Sequence, residues 1–301
     1  MPFRDVEFKT SDHVTLRGWL YTPSSFTGKL PCLVMAPGFA GLKKMGLNNS
    51  AEDFVSKLQI ACLAYDNRGF GDSDSKEGEP LREIIPHQQV SDYSDAITFA
   101  QSLTEVDPTR IGIWGSSYSG AHVLCVGAID RRVKVVLSQV PLTSGWDNFH
   151  RLFRPAYISD LNKEFEEDRL ARAAGKEPRR VPVVHEDLSV LSALPTADSF
   201  QAYGPWEANG LVNDVTLKSL EAFRAYEPIA YMHRISPTPL LMTVAKNDVV
   251  TPGDIAIEAF SRAKEPKELR ILQGGHFDPY VGETFKQNAA AQVDFLRRYL
   301  L

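Results

Sequence analysis

Arg110-Ile-Gly-Ile-Trp114-Gly115-Ser116-Ser117-Tyr118-Ser119-Gly120, running on into Ala121 to Val126, is the stretch whose reading decides the fold. An apolar run, Ile111 to Trp114, enters a tight turn of Gly and Ser, and the turn leads straight into a second apolar run with helical character. A chain that reverses this sharply holds its central residue in strained backbone geometry, tolerable only where the residues two before and two after are small. Gly115 and Ser119 meet that demand around Ser117. The turn aims the Ser117 hydroxyl above a strand end, and the helix opening at Tyr118 points its N–H groups at any negative charge formed there. Gly and Ser also cluster in ordinary loops, so the placement between strand and helix carries the reading.

Working outward, short continuous apolar runs recur at Cys32 to Met35, Ala61 to Ala64, Val133 to Leu137, Leu240 to Val244 and Leu269 to Leu272. Such runs suit strands of a parallel sheet covered on both faces. Between them, Gln88 to Leu103 repeats Val90, Tyr93, Ala96, Ile97 and Ala100 at the spacing of one helix face. The alternating segments Val6 to Lys9 and Val14 to Tyr21, parted by Ser11-Asp12, predict an antiparallel hairpin. Strand and helix alternate, which predicts a doubly wound, mostly parallel α/β fold with its ligand site at the carboxyl ends of the strands.

Residues 141–230 interrupt this rhythm and carry 14 acidic against 10 basic side chains, four of the five net negative charges of the chain. They contain helix candidates at Asp160 to Ala174, ended by Gly175, and at Leu217 to Tyr226, capped by Thr216. The expected organisation is a core of residues 1–140 and 231–301 with 141–230 inserted as a helical cap or lid. Trp146, Phe149, Phe153 and Trp206 are its candidate pocket residues; the plainer alternative is that its aromatics fill a small core of their own.

A serine hydroxyl is a weak nucleophile at neutral pH and needs a base, and that base an orienting acid. His276 follows the strand Leu269 to Leu272 in the turn Gln273-Gly274-Gly275, and Asp248 follows the strand Leu240 to Val244; both sit just past strand ends. Asp278 is the rival acid, better suited to capping the His276 turn. His122 lies in the helix after Ser117 and is expected to be packed. The loop Ala36-Pro37-Gly38-Phe39, at the end of another strand, and the start of the helix at Tyr118 supply backbone N–H groups of Phe39 and Tyr118 as oxyanion donors.

Competing chemistries fail on particular residues. Gly69-Phe-Gly71-Asp-Ser-Asp74 has Asp where a dinucleotide loop needs its third glycine, no Gly-Lys-Ser/Thr phosphate loop occurs, and no Cys pair or His-Glu-x-x-His has zinc spacing. No cofactor is expected. The 301-residue chain is 43% hydrophobic and 24% charged with a net charge of −5, a balance that excludes disorder and disfavours nucleic acid as partner. Cys32, Cys62 and Cys125 are an odd number, each in an apolar stretch, and neither a signal peptide nor a run of eighteen apolar residues is evident. A cytoplasmic protein without a membrane partner is expected.

The turn at Gly115 to Gly120, the loop Pro37-Gly38-Phe39, the segment Asp66-Asn-Arg68-Gly69-Phe-Gly71-Asp-Ser73, Asp248 and His276 together resemble the α/β-hydrolase superfamily over roughly residues 5–140 and 228–301. The order Ser117, Asp248, His276 is the order of that superfamily. Pro37 replaces the histidine often found before the oxyanion glycine, and Ser119 stands where many members have glycine. By the same resemblance the Asp66 to Ser73 segment is a structural brace with Arg68 pairing locally. Within the superfamily the chain is similar to fungal polyketide transferases and thiohydrolases, which implies acyl hydrolysis or transfer from an ester or thioester, with a polyketide chain held on an acyl-carrier domain as the expected substrate. A carboxylesterase, lactonase or X-Pro-type peptidase is the alternative with the same residues, and a non-catalytic small-ligand receptor on the same fold is the alternative of another class.

Overall fold

A computed structural model describes residues 3–301. In chain order its elements are β1 (Phe3–Lys9), β2 (Thr15–Tyr21), β3 (Leu30–Ala36), α1 (Leu47–Lys57), β4 (Ala61–Tyr65), α2 (Pro86–Ser102), β5 (Val106–Ser116), α3 (Tyr118–Ile129) and β6 (Val133–Gln139). There follow α4 (Gly145–Leu152), α5 (Ile158–Ala173), β7 (Arg180–Val181), α6 (Ala197–Tyr203), β8 (Val215–Thr216) and α7 (Leu217–Arg224), then β9 (Leu240–Ala245), α8 (Gly253–Arg262), β10 (Lys267–Leu272) and α9 (Gly282–Tyr299).

Eight strands form one sheet in the order β1-β2-β4-β3-β5-β6-β9-β10. β1 pairs antiparallel with β2, and β2 with β4; every later pairing is parallel. Alternate residues of the central strands feed opposite layers, as the pleat requires. Cys32 and Val34 pack with α2, α3 and α8, whereas Leu33 and Met35 pack with α1 and α9. The doubly wound expectation is met, and the expected hairpin is β1–β2.

The chain leaves β3 toward β4 on one side and returns to β5 on the other. The carboxyl ends of β3 and β5 therefore flank a switch point, where an open α/β sheet leaves a crevice. β10 departs from the expectation of a strand buried on both faces. It lies at the sheet edge with a single neighbour, and Ile271 is 52% exposed. Its apolar content, interleaved with Glu268 and Arg270, resembles that of an inner strand, but only position in the sheet decides coverage.

Between β6 and β9 the chain rises over the carboxyl edge as α4 to α7 and the two-stranded β7–β8 ribbon. Thr216 precedes α7 as expected, yet its hydroxyl caps no helix N–H; it bonds Glu83 Oε2 and Ser219 Oγ, each at 3.0 Å. Arg68 is also placed differently from the expectation of local pairing. It spans from the β4 end to Asp12 of the hairpin turn and to Asp92 of α2, tying three elements together. The three cysteines are buried as free thiols.

Candidate active site

Ser117 occupies the turn between β5 and α3 with φ 59° and ψ −119°, a conformation that L side chains rarely adopt. The neighbours make it tolerable. A Cβ added to Gly115 would collide with the Ser119 carbonyl, and one added to Gly120 would come within 2.9 Å of the Gln139 carbonyl oxygen. The turn is further held where Ser117 N–H donates to the Gln139 carbonyl at 2.9 Å and Leu142 N–H donates to the Ser117 carbonyl at 3.1 Å.

The three side chains, far apart in sequence, meet. The Ser117 hydroxyl lies 3.0 Å from His276 Nε2, and His276 Nδ1 lies 2.7 Å from Asp248 Oδ2. His276 and Asp248 are 1% and 7% exposed, so little water competes for either bond. Asp248 Oδ1 accepts the backbone N–H groups of Val250 and Thr251 at 2.8 and 2.7 Å, which fixes the carboxylate in its turn. The arrangement suits a serine proton passing to Nε2 while the carboxylate holds the Nδ1–H tautomer. Asp278, the rival acid, accepts the Gly275 N–H at 2.6 Å and caps the histidine turn.

The loop that faces Ser117 is set by close approach. Gly38 lies over Ser117 so tightly that a Cβ there would stand 3.0 Å from both the Ser116 carbonyl oxygen and Ser117 Cβ. Glycine is needed for space rather than for a positive φ; in this loop the positive φ belongs to Ala40, at 53°. The N–H groups of Phe39 and of Tyr118 at the start of α3 donate to no protein acceptor among the described residues. Among the described residues no group of three or more His, Cys, Asp or Glu is placed to hold a metal ion, and no helix is long and apolar enough to cross a membrane.

A cavity of about 770 Å³ opens onto Ser117 and His276. Its walls include Met45, Leu47, Phe277, Tyr280 and Trp206, with Lys44, Asn48 and Asp198 adding polar groups. Trp206 lines it, and of the other expected pocket residues Trp146, Phe149 and Phe153 do not. Phe149 is fully buried among Phe153, Phe165 and Phe223, with the Arg224 guanidinium 5.4 Å from its ring centroid. Phe153 lines a separate cavity of about 240 Å³ with Leu161 and Leu188. Trp146 lies against His150 with 57% exposure. Phe149 of α4 and Phe153 just past it look inward, to an apolar cluster that residues 141–230 share with Phe39, Tyr118 and Val250, whereas Trp146 faces outward.

Two groups of residues escaped the sequence reading. Thr251 Oγ1 lies 3.0 Å from Asp248 Oδ2, 2.9 Å from the Val140 carbonyl oxygen and 3.1 Å from His276 Nδ1. A threonine three residues after an aspartate at a strand end is the available signal, because such pairs form side-chain-stabilised turns. The second group is a buried polar chain beneath the nucleophile turn. Ser116 Oγ bonds Tyr280 OH at 2.5 Å and accepts from Gln139 Nε2 at 3.1 Å, while Gln139 Oε1 accepts from Asn288 and Gln292 of α9. Gln292 Oε1 in turn accepts the Trp114 indole N–H at 3.0 Å. Isolated polar residues in apolar elements are its only trace in the sequence. His122 is packed as expected: Nε2 faces Gln89 Oε1 at 2.9 Å, Nδ1 faces Tyr226 OH at 3.1 Å, and burial lowers its pKa to about 3.

The chain is 34% identical to polyketide transferase grgF from a Penicillium species over 100% of this chain and 98% of that one. It is 33% identical to quorum-quenching protein AidA from Acinetobacter baumannii over 98% and 94%, and 32% identical to a thiohydrolase from Eupenicillium brefeldianum over the same shares. The crystal structure of alpha/beta hydrolase GrgF from Penicillium sp. sh18 superposes with a TM-score of 0.85 at 32% identity, covering 100% of this chain and 99% of that one. Residues 33–286 match the model of the alpha/beta hydrolase family, and the chain belongs to that family.

Proposed function

We propose that the protein is a serine acyl hydrolase or acyltransferase that takes an acyl group from an ester or thioester. Ser117 Oγ attacks the carbonyl carbon as its proton passes to His276 Nε2; Asp248 stabilises the imidazolium; the Phe39 and Tyr118 N–H groups receive the oxyanion. Collapse expels the alcohol or thiol, which takes the proton from His276, and leaves an acyl group on Ser117. Water or an alcohol, deprotonated by His276, then removes it. The hydrogen-bonded chain Ser117–His276–Asp248 is the observation that carries this reading.

The cavity of about 770 Å³ leaves room well beyond an acetyl group, and pockets of this size draw most of their affinity from apolar burial. Relatives named polyketide transferase and thiohydrolase support a polyketide or similar long acyl chain as substrate, with an acyl-carrier domain as its donor. The segment 141–230 serves as the lid over this cavity.

A fluorophosphonate probe tests the nucleophile. The wild-type protein should be labelled on Ser117 and the Ser117→Ala variant should not; a wild type that resists the probe would favour the ligand-receptor reading. A panel of short esters, long esters and acyl thioesters, each with water or an added alcohol, then tests the chain length and the acceptor. Highest kcat/KM on short esters would sink the long-acyl assignment.

A further inference from the structure

The peptide unit bearing the Phe39 N–H lies between two peptide units that are each held by a side chain. On one side Asn67, just past β4, donates its amide to the Pro37 carbonyl at 3.0 Å. On the other Tyr203, the last residue of α6, donates its hydroxyl to the Phe39 carbonyl at 2.7 Å. Asn67 belongs to the end of the sheet, whereas Tyr203 is delivered by the cap. Gly38 has no side chain of its own; its carbonyl, on the same peptide as the Phe39 N–H, accepts the Gly41 N–H at 3.1 Å within the loop, so this peptide turns with a loop that Asn67 and Tyr203 anchor from outside.

Other contacts fasten the same loop to the same partner. The Phe39 ring packs 6.3 Å from Phe223 of α7, and Lys44 Nζ reaches the Asn209 carbonyl at 2.5 Å. Tyr203 is buried, lines the cavity and meets Phe277, the residue after His276, edge to face at 6.2 Å. The residue that steers the loop is therefore part of the cavity wall.

We infer that Tyr203 is a positioning residue: its hydroxyl sets the plane of the peptide after Phe39, so that the Phe39 N–H, already held from the sheet side, is aimed best at the oxyanion while the cap is seated. This rests on the reading of Ser117 as nucleophile. Preorganised donors stabilise the developing charge because they need no reorientation at the moment of reaction. Tyr203 touches neither the oxyanion nor the reacting atoms; it acts through the loop, and couples cap closure to completion of the oxyanion site.

Tyr203→Phe keeps the ring and removes only the hydroxyl. Outright loss of a donor costs about a hundred- to a thousandfold; a misaimed one should lower the maximal rate of fluorophosphonate labelling about tenfold while the probe concentration for half-maximal rate stays within twofold. The inhibition constant of a trifluoromethyl ketone, which binds as an oxyanion adduct, should rise by a similar factor. A purely structural role would lower Tm or the labelled fraction without splitting rate from affinity. Labelling rate and ketone inhibition both within twofold of wild type would overturn the inference. Hydrogen exchange on the wild-type protein covers poor folding of the variant. The ketone adduct should protect residues 36–41 and 200–206 together, and protection of the first without the second would overturn the coupling. A wild type that takes no fluorophosphonate at all indicts the nucleophile instead.

Discussion

The floor and the roof of the cavity are held in place by different physics. On the floor, Ser117, Asp248, His276 and Gly38 all lie just past the carboxyl ends of parallel strands, where the ladder of backbone hydrogen bonds fixes each departure point. In the segment 141–230, which lends Tyr203 and Trp206 to the cavity wall, the helices are placed chiefly by side-chain packing, with Phe149, Phe153, Phe165 and Phe223 in one apolar cluster. A strand register displaces its residues in fixed steps, while a helix held only by its packing is as well placed as its partners allow. The difference predicts that damage to the floor should abolish chemistry at intact stability, while damage to the packed phenylalanines of segment 141–230 should cost stability first.

The sharpest way to break the contrast is at the floor. Ser117→Ala or His276→Ala should lower turnover by roughly four to six powers of ten, since residues acting as one unit fail together. Asp248→Asn should cost about ten-thousandfold; Asp278→Asn, which disturbs only a turn, should stay within about tenfold. Steady-state rates with Tm measured alongside decide this, and a larger effect at 278 than at 248 would reassign the acid.

In the roof, Phe149→Ala should cost about 3–5 kcal/mol of unfolding free energy by denaturant titration, because a fully buried ring leaves a cavity. Trp206→Ala, at the cavity wall, should instead raise KM for long acyl substrates about tenfold and leave Tm nearly unchanged, since apolar wall area contributes mainly to binding. A loss of stability at 206 with unaltered KM would move the substrate out of this cavity.

The interface between the two regions has a pH signature. His122 titrates near 3 in the folded protein because burial disfavours its charged form, against about 6.5 when unfolded. The unfolded chain binds the extra proton first, so stability present above pH 6.5 is lost as the pH falls toward 3, at up to about 1.4 kcal/mol per pH unit. His122→Gln should flatten that part of the stability profile. An unchanged profile would mean that His122 titrates normally. The smallest effect belongs to Trp146→Ala, which should stay within about 0.5 kcal/mol because the ring is largely exposed.

The same division explains what the amino-acid sequence disclosed. Strand-end residues were legible because a short apolar run followed by Gly, Asp or His locates a side chain without knowledge of any partner. Gly115 and Ser119 declared a tight turn, and the chain order of Ser117, Asp248 and His276 followed. The faces of α4 were not legible: Trp146, Phe149 and Phe153 are all large and apolar, and only the position of α5 and α7 tells which of them is buried. Nor was the polar chain through Gln139, Asn288 and Gln292, in which Gln139 lies more than a hundred residues before the other two and makes sense only as their partner.

That buried chain has a consequence for how the molecule comes to exist. Asn288 and Gln292 reach it from α9, so a ribosome-bound product lacking α9 would hold Trp114 and Gln139 without their counterparts directly under the nucleophile. Competence should therefore arrive late and all at once during synthesis, and a protease that clips after Tyr280 and releases α9 would silence the protein while leaving Ser117, Asp248 and His276 on one chain.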